Sequence, residues 1–315
     1  MNEKIIKIKE EVAKVVIGQE KMIDGLLVGL LCEGHILIEG IPGLAKTTTV
    51  NALAKALGLG FKRVQFTPDL LPSDILGAEI YDPGQNMFKI KQGPVFTNLL
   101  LADEINRAPA KVQSALLEVM QEKQVTIGEE SFKLSPPFFV MATQNPVEQE
   151  GVYQLPEAQL DRFMMKLVVG YNTKEEELQI ARRISNKTNA QINAVITLDE
   201  LEALKQEVAS VHMDEEVEKY MIELVSATRD PEAYGLGEIA DYLQFGASPR
   251  VSIDMFKAVK AMAFLRGKDY VSPVDIAYII KEIMRHRVIL TYEAEAEGVT
   301  ADQVIDKIVE TVAIP

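Results

Sequence analysis

Three short stretches of the chain carry residue types that could do phosphate chemistry. Gly40-Ile41-Pro42-Gly43-Leu44-Ala45-Lys46-Thr47, continued by Thr48, sets two glycines ahead of a lysine and a hydroxyl. With a strand before it and a helix after it, backbone N–H groups at the helix start surround a phosphate, and the helix dipole favours its charge. Lys46 then reaches the β- and γ-phosphates of a nucleotide, and the Thr47 hydroxyl can ligate Mg²⁺. The usual pattern has glycine directly before the lysine. Ala45 stands there instead, so an ordinary strand–turn–helix is the competing reading. The second stretch, Leu99-Leu100-Leu101-Ala102-Asp103-Glu104, is an apolar run ending in two adjacent carboxylates. Asp103 would hold Mg²⁺, directly or through water, while Glu104 would activate the attacking water as general base. A lone Asp-Glu pair is more often a solvated turn, but a phosphate loop upstream changes that weighting. The third stretch, Phe138 to Ala142, ends in Thr143-Gln144-Asn145-Pro146, where the Asn145 amide could orient water against a γ-phosphate without adding negative charge.

This chemistry requires strands that end where these residues begin. His35 to Glu39, Phe61 to Phe66, Asn98 to Ala102, Phe138 to Ala142 and Lys166 to Val169 read as short buried strands. Helical patterns lie between most of them: residues 46–58, Ala- and Leu-rich, and 110–121, where Val112, Leu116, Val119 and Met120 share a face. Alternating strands and helices predict a mainly parallel five-stranded sheet covered on both faces, an α/β fold. In such sheets ligands sit beyond the carboxyl ends of the strands, which is where both acids fall. Ile5, Ile8, Val12 and Val15 predict an amphipathic helix at the N-terminus. A second, over 19–32, has Met22, Ile23, Leu26, Leu27, Leu30 and Leu31 on one face.

After about residue 171 the strand signal disappears. Thr173 with Glu176 and Thr197 with Glu200 have capping-box spacing. Ser248-Pro249 and Ser272-Pro273 fit an N-cap followed by proline at the first helical position. The expected organisation is an α/β core over 1–184, a linker over 185–196 and an all-α region over 197–315. Two hairpin-like insertions interrupt the core, one near 80–92 around Asp82-Pro83-Gly84-Gln85-Asn86 and one near 125–134 around Gly128-Glu129.

Composition narrows the function classes. The chain has 315 residues, 47% apolar and 25% charged, which is ordinary for a soluble globular protein. A net charge of −14 opposes broad electrostatic binding of nucleic acid. The single cysteine, Cys32, forms no intramolecular disulfide and no zinc cluster, and its neighbours place it in the core. The apolar stretch Gly25 to Cys32 is far shorter than a membrane span, and Met1-Asn2-Glu3-Lys4 leads into no signal-peptide hydrophobic region. A cytoplasmic protein without an integral membrane segment is expected. His35, His212 and His286 are scattered and read as structural.

The three strand ends, in this order, resemble the AAA+ ATPases, and the linear detail is similar to the MoxR family within them. The stretches that carry the resemblance are EGIPGLAKT (39–47), LADEINRAPAKVQSALLEVMQEKQVT (101–126), ATQNPVEQEGVYQLPEAQLDRF (142–163) and GASPR (246–250). Val16-Ile17-Gly18-Gln19 belongs with them, so the likeness spans most of the chain. In that family Ala45 is a trait rather than a defect. The resemblance implies that Val16, Ile17 and Gly18 contact adenine and that Asn145 is the first sensor. It implies that Arg162 is an arginine finger acting on ATP bound to the neighbouring subunit. Arg250 matches the second sensor, at the start of a lid helix, where it could report the γ-phosphate; surface ion pairs are the alternative for both arginines. Arg107 is a further candidate for an inter-subunit contact, with a structural role as the alternative. The hairpins of such proteins project from a ring toward a client or partner; simple loop decoration is the alternative.

The resemblance implies an ATP- and Mg²⁺-dependent ATPase assembled as a homo-oligomeric ring, a hexamer, with a chaperone-like role on client proteins, commonly alongside von Willebrand factor A-domain partners. A nucleic-acid motor of the minichromosome-maintenance type is the first alternative, disfavoured by the charge and by the lack of a basic, aromatic-interleaved segment. A motor subunit of a metal-chelatase complex is the second. A nucleotide-dependent scaffold with negligible turnover is the third, and Glu104 argues against it.

Overall fold

The computed structural model describes residues 2–146, 151–186 and 190–315. Its strands, in chain order, are β1 (Ile36–Glu39), β2 (Phe61–Gln65), β3 (Gly77–Asp82), β4 (Met87–Gln92), β5 (Leu99–Asp103), β6 (Gln124–Ile127), β7 (Glu130–Lys133), β8 (Phe139–Gln144), β9 (Met165–Val168), β10 (Leu243–Phe245) and β11 (Ile289–Leu290). Five of them form one parallel sheet in the order β2-β5-β8-β1-β9. These are the five strands expected, each shifted by no more than a few residues. Two of the small sheets are the expected hairpins, β3–β4 and β6–β7, with the first ladder starting earlier than expected, at Gly77.

Both faces of the sheet are covered, which explains why its central strands are apolar without alternation. Leu37, Leu100, Ala102, Val140 and Ala142 face one core, shared with Val112, Leu116 and Met120 of the helix Ala110–Glu122. Ile36, Ile38, Leu99, Leu101 and Met141 face the other. That second core also takes the helices Glu3–Ala13, Glu20–Leu31 and Lys46–Ala56. The helix Glu20–Leu31 is buried more completely than a single apolar stripe predicts. Gly25 and Gly29 allow it: an added Cβ would lie 2.6 Å from Leu167 at one and 2.7 Å from Ile36 at the other. Sheet side chains pack directly on the helix backbone there.

The C-terminal part is helical, as expected, with Ser248 and Ser272 as N-caps of Pro249–Leu265 and Pro273–Met284. Thr173 and Thr197 close capping boxes on Lys174–Ser185 and Leu198–Ala209. One expectation fails: β10 and β11 form a short antiparallel pair in this part. Segments of two or three residues are too short for any period to reveal. The helices here also join the second core rather than building one of their own, through Val251, Met255, Val259, Ile276 and Ile280. Arg285 donates to the carbonyl of Lys166 at 3.0 Å and His286 bonds that of Phe163 at 2.9 Å, fastening this part to the edge of the sheet.

Of the expected linker, residues 187–189 lie outside the described residues. Its later part is tied down: the Asn193 amide donates to Glu11 and the Val195 amide to the carbonyl of Ala56. Cys32 is half-buried against the core, and burial pushes its thiol up to about 12. His35 is buried, bonding the Met120 carbonyl through Nε2 while Nδ1 accepts from the Val140 amide. Burial lowers its pKa to about 4, and His286 is lowered well below the usual imidazole range for the same reason.

Candidate functional site

The loop after β1 turns at Pro42–Gly43 and enters the helix Lys46–Ala56. Two of its residues are in the left-handed region, Gly43 at φ 89° and Ala45 at φ 56°. Glycine adopts that conformation freely; for alanine it costs on the order of 1 kcal/mol. The Lys46 ammonium donates to the carbonyl of Gly40 and so spans the loop it follows. Burial pushes its pKa down, against the opposing pull of Asp103, Glu104 and Glu39. Pro42 to Thr48 form one wall of a cleft of about 380 Å³. Arg63, Asp103, Glu104, Thr143 and Asn145 form the other.

The far wall is built by register. Ala102 on β5 lies opposite Ala142 on β8, so the next residues, Asp103 and Thr143, emerge side by side at the strand ends. Thr143 Oγ1 donates to Asp103 Oδ1 at 2.6 Å and accepts from the Glu104 amide at 2.8 Å. Glu104 is left-handed, at φ 56°, and this turn keeps both carboxylates on the cleft. Gln65 Nε2 donates to Glu104 Oε2 at 2.7 Å, and Arg107 Nη1 reaches the same oxygen at 3.1 Å. Arg63 grips Asp103 Oδ2 through Nε at 2.9 Å and Nη2 at 2.6 Å. Asn145 is buried, immediately beyond β8.

Lys46, Thr47, Asp103, Glu104 and Asn145 therefore converge, as their order along the chain predicts. Two cleft residues, Arg63 and Thr143, escaped the reading of the sequence as functional groups, and so did Gln65, which bonds Glu104 and Arg63. The available signal was polar residues at alternate positions near the carboxyl end of a strand. Thr47 and Asp103 offer a hydroxyl and a carboxylate, hard oxygen donors that suit Mg²⁺. Among the described residues no group of three or more His, Cys, Asp or Glu could hold a metal ion. A Mg²⁺ held partly by substrate phosphates needs no such group.

The other candidates lie elsewhere. Arg162 and Arg250 meet across a second cleft of about 290 Å³, with His35, Met120, Asp161 and Asp254 among its walls. Arg250 Nη1 faces Asp161 Oδ2 at 3.4 Å, and Ser248 Oγ donates to the same carboxylate at 3.1 Å. Arg287 holds Asp254 at 2.6 Å and the Asp161 backbone carbonyl at 2.9 Å. Neither Arg162 nor Arg250 lines the cleft of Lys46. Val16, Ile17 and Gly18 form the turn between the first two helices, with Asn172 donating to the Ile17 carbonyl at 2.9 Å, and they too lie outside that cleft's walls.

Comparison with known proteins agrees with this arrangement. The family model described as ATPase family associated with various cellular activities matches residues 35–165, and an AAA lid domain model matches 238–308. The chaperone MoxR1 of Mycobacterium tuberculosis is 47% identical over 305 residues, covering 97% of this chain and 81% of that protein. The MoxR protein of Paracoccus denitrificans is 31% identical over 320 residues, covering 96% of this chain and 93% of its own. A crystal structure of a candidate ATPase from Cytophaga hutchinsonii superposes with a TM-score of 0.94 at 54% identity, over 99% of this chain and 95% of that one. The parallel sheet, the P-loop cleft, the helical lid and these likenesses lead to one assignment: this chain belongs to the MoxR family of AAA+ ATPases.

Proposed function

We propose that the chain is a Mg²⁺-dependent ATP hydrolase that works as a homo-oligomeric ring and couples turnover to remodelling of partner proteins. The observation that carries this reading is the convergence of Lys46, Thr47, Asp103, Glu104 and Asn145 on one cleft at the carboxyl ends of β1, β5 and β8. The loop amides and Lys46 bind the phosphates. Thr47 and Asp103 would hold Mg²⁺, which would supply charge neutralisation at the phosphates. Glu104 takes the proton of the water that attacks the γ-phosphorus as the bond to the bridging oxygen breaks. Asn145 orients that water. Val16, Ile17 and Gly18 form the adenine side.

Arg162 and Arg250 sit together on another surface, and this placement favours their acting on ATP held by the next subunit. Arg107 faces Glu104 within its own subunit, which favours the positioning role over the inter-subunit one. The β3–β4 hairpin carries Ile80, Tyr81, Met87 and Phe88, each about half exposed, and the tilted Tyr81–Phe88 ring pair has centroids 5.4 Å apart. Such an apolar tip suits contact with a client. No helix among the described residues is long and apolar enough to cross a membrane. A hexamer in the cytoplasm, working with a von Willebrand factor A-domain partner, is the fuller form of the proposal.

The test is steady-state ATPase rate per subunit against protein concentration, with and without Mg²⁺. A rate that rises with concentration and vanishes without the metal is the expected result. A rate per subunit that is appreciable and unchanged down to concentrations where sedimentation shows only monomer would overturn the shared site.

A further inference from the structure

Arg63 is a cleft residue that the roles above leave unused. Strand β2 alternates its faces, so Arg63 and Gln65 both turn toward the acids, with Gln65 in register with Asp103. Arg63 Nε and Nη2 donate to Asp103 Oδ2, and Nη2 also donates to Gln65 Oε1 at 2.7 Å. Those bonds use three of the five guanidinium N–H groups. The two on Nη1 have no protein acceptor among the described residues, and the side chain stays 47% exposed on the cleft wall. Lys46 and Arg63 are the cations lining this cleft, since Arg162 and Arg250 line the other one.

The sheet order sets where each cation can reach. β5 and β8 lie between β2 and β1. The backbones that carry Arg63 and the phosphate loop are therefore about 14 Å apart at ordinary strand spacing. Lys46 and the helix amides hold phosphates on the β1 side. A guanidinium held over Asp103 therefore lies on the side of the cleft remote from that helix.

We propose that Arg63 reads the γ-phosphate from within the same subunit and makes the cleft prefer a nucleoside triphosphate to a diphosphate. This rests on the ATP-site reading above. Asp103 and Gln65 fix the guanidinium plane from behind, so its remaining fork is oriented before the nucleotide arrives, and a planar fork matches phosphate geometry better than an ammonium does. The diphosphate ends too soon to be reached and gains nothing from it.

The experiment is equilibrium binding of fluorescent ATP and ADP, with Mg²⁺, to wild-type protein and to Arg63→Gln and Arg63→Lys. In Arg63→Gln, ATP affinity should fall by about tenfold or more, and ADP affinity should stay within about twofold, as expected for loss of charge-assisted bonds to one phosphate. Arg63→Lys should fall between the two, keeping the charge without the fork. Equal losses for both nucleotides would overturn the proposal, because Arg63 would then act only as a brace for Asp103. Unchanged affinities would overturn it as well. If Arg63→Gln does not fold, Arg63→Lys decides alone: a wild-type ratio of ATP to ADP affinity contradicts the proposal. Wild-type protein that binds neither nucleotide would overturn the ATP-site reading itself, and the role of Arg63 with it.

Discussion

The two clefts of this molecule are built differently. In the P-loop cleft the key groups are aligned by a sheet: Asp103 and Thr143 stand side by side because β5 and β8 are in register, and Lys46 follows the neighbouring β1. In the arginine cleft the groups come from segments far apart in the chain, the turn at Asp161–Arg162 and the start of the helix Pro249–Leu265. The first has acids, amides, Lys46 and Arg63, and neither Arg162 nor Arg250 lines it. The second has two arginines beside Asp161 and Asp254. The proposed shared site would bring the arginines of one copy to the phosphate loop of the next.

That contrast can be broken most forcefully through Arg162. Arg162→Ala should lower ATP turnover by about 10³- to 10⁵-fold, the range for removal of an arginine finger, while ATP binding to isolated subunits persists. Rapid-mixing product analysis and nucleotide titration measure the two separately. Arg250→Ala should follow the same pattern with a smaller loss. Glu104→Gln, on the P-loop side, should cost about 10²- to 10⁴-fold in turnover with ATP still bound. Normal turnover in that variant removes the general-base role.

Acid sharpens the comparison, because a wall of the arginine cleft contains a histidine that folding keeps neutral. His35 has its pKa lowered to about 4, whereas an unfolded histidine titrates near 6.5. The unfolded chain therefore binds more protons between those values, and stability rises with pH across that window. The contribution is fully present above about pH 6.5 and is lost progressively as pH falls toward 4, amounting to about 2 kcal/mol by pH 5. His286 works in the same direction. Denaturant melts at pH 7 and pH 5 measure it; His35→Gln should reduce the difference between them. The smallest effect is at Ala45, where glycine would relieve the left-handed strain and raise stability by no more than about 1 kcal/mol.

Legibility in the sequence divides along the same line. β1, β5 and β8 were legible because they are buried on both faces, leaving short unbroken apolar runs such as Leu99 to Ala102 that end at the chemistry. The phosphate loop is local, and so are the caps at Thr173, Thr197 and Ser248. Arg63 and Gln65 were not legible, because their meaning depends on β2 lying beside β5, a pairing across 40 residues in the Arg63–Asp103 contact. The meeting of Arg162 with Arg250 is longer-range still, and it depends on how the lid helices share the core of the sheet. Resemblance named both arginines and left their placement to the structure. The β10–β11 pair escaped because two strands of three and two residues carry no period.

The central claim is that ATP is hydrolysed between subunits, with Glu104 from one and Arg162 from the next. Co-expression of Glu104→Gln and Arg162→Ala chains bearing different tags, followed by purification of mixed rings on both, tests it most directly. Each variant alone should be nearly inactive. In mixed rings, some interfaces pair an intact Glu104 with an intact Arg162, and about a quarter of the wild-type rate should return if the subunits assort at random. Mixed rings as inactive as either parent would contradict the shared site and place both residues on the same ATP within one chain.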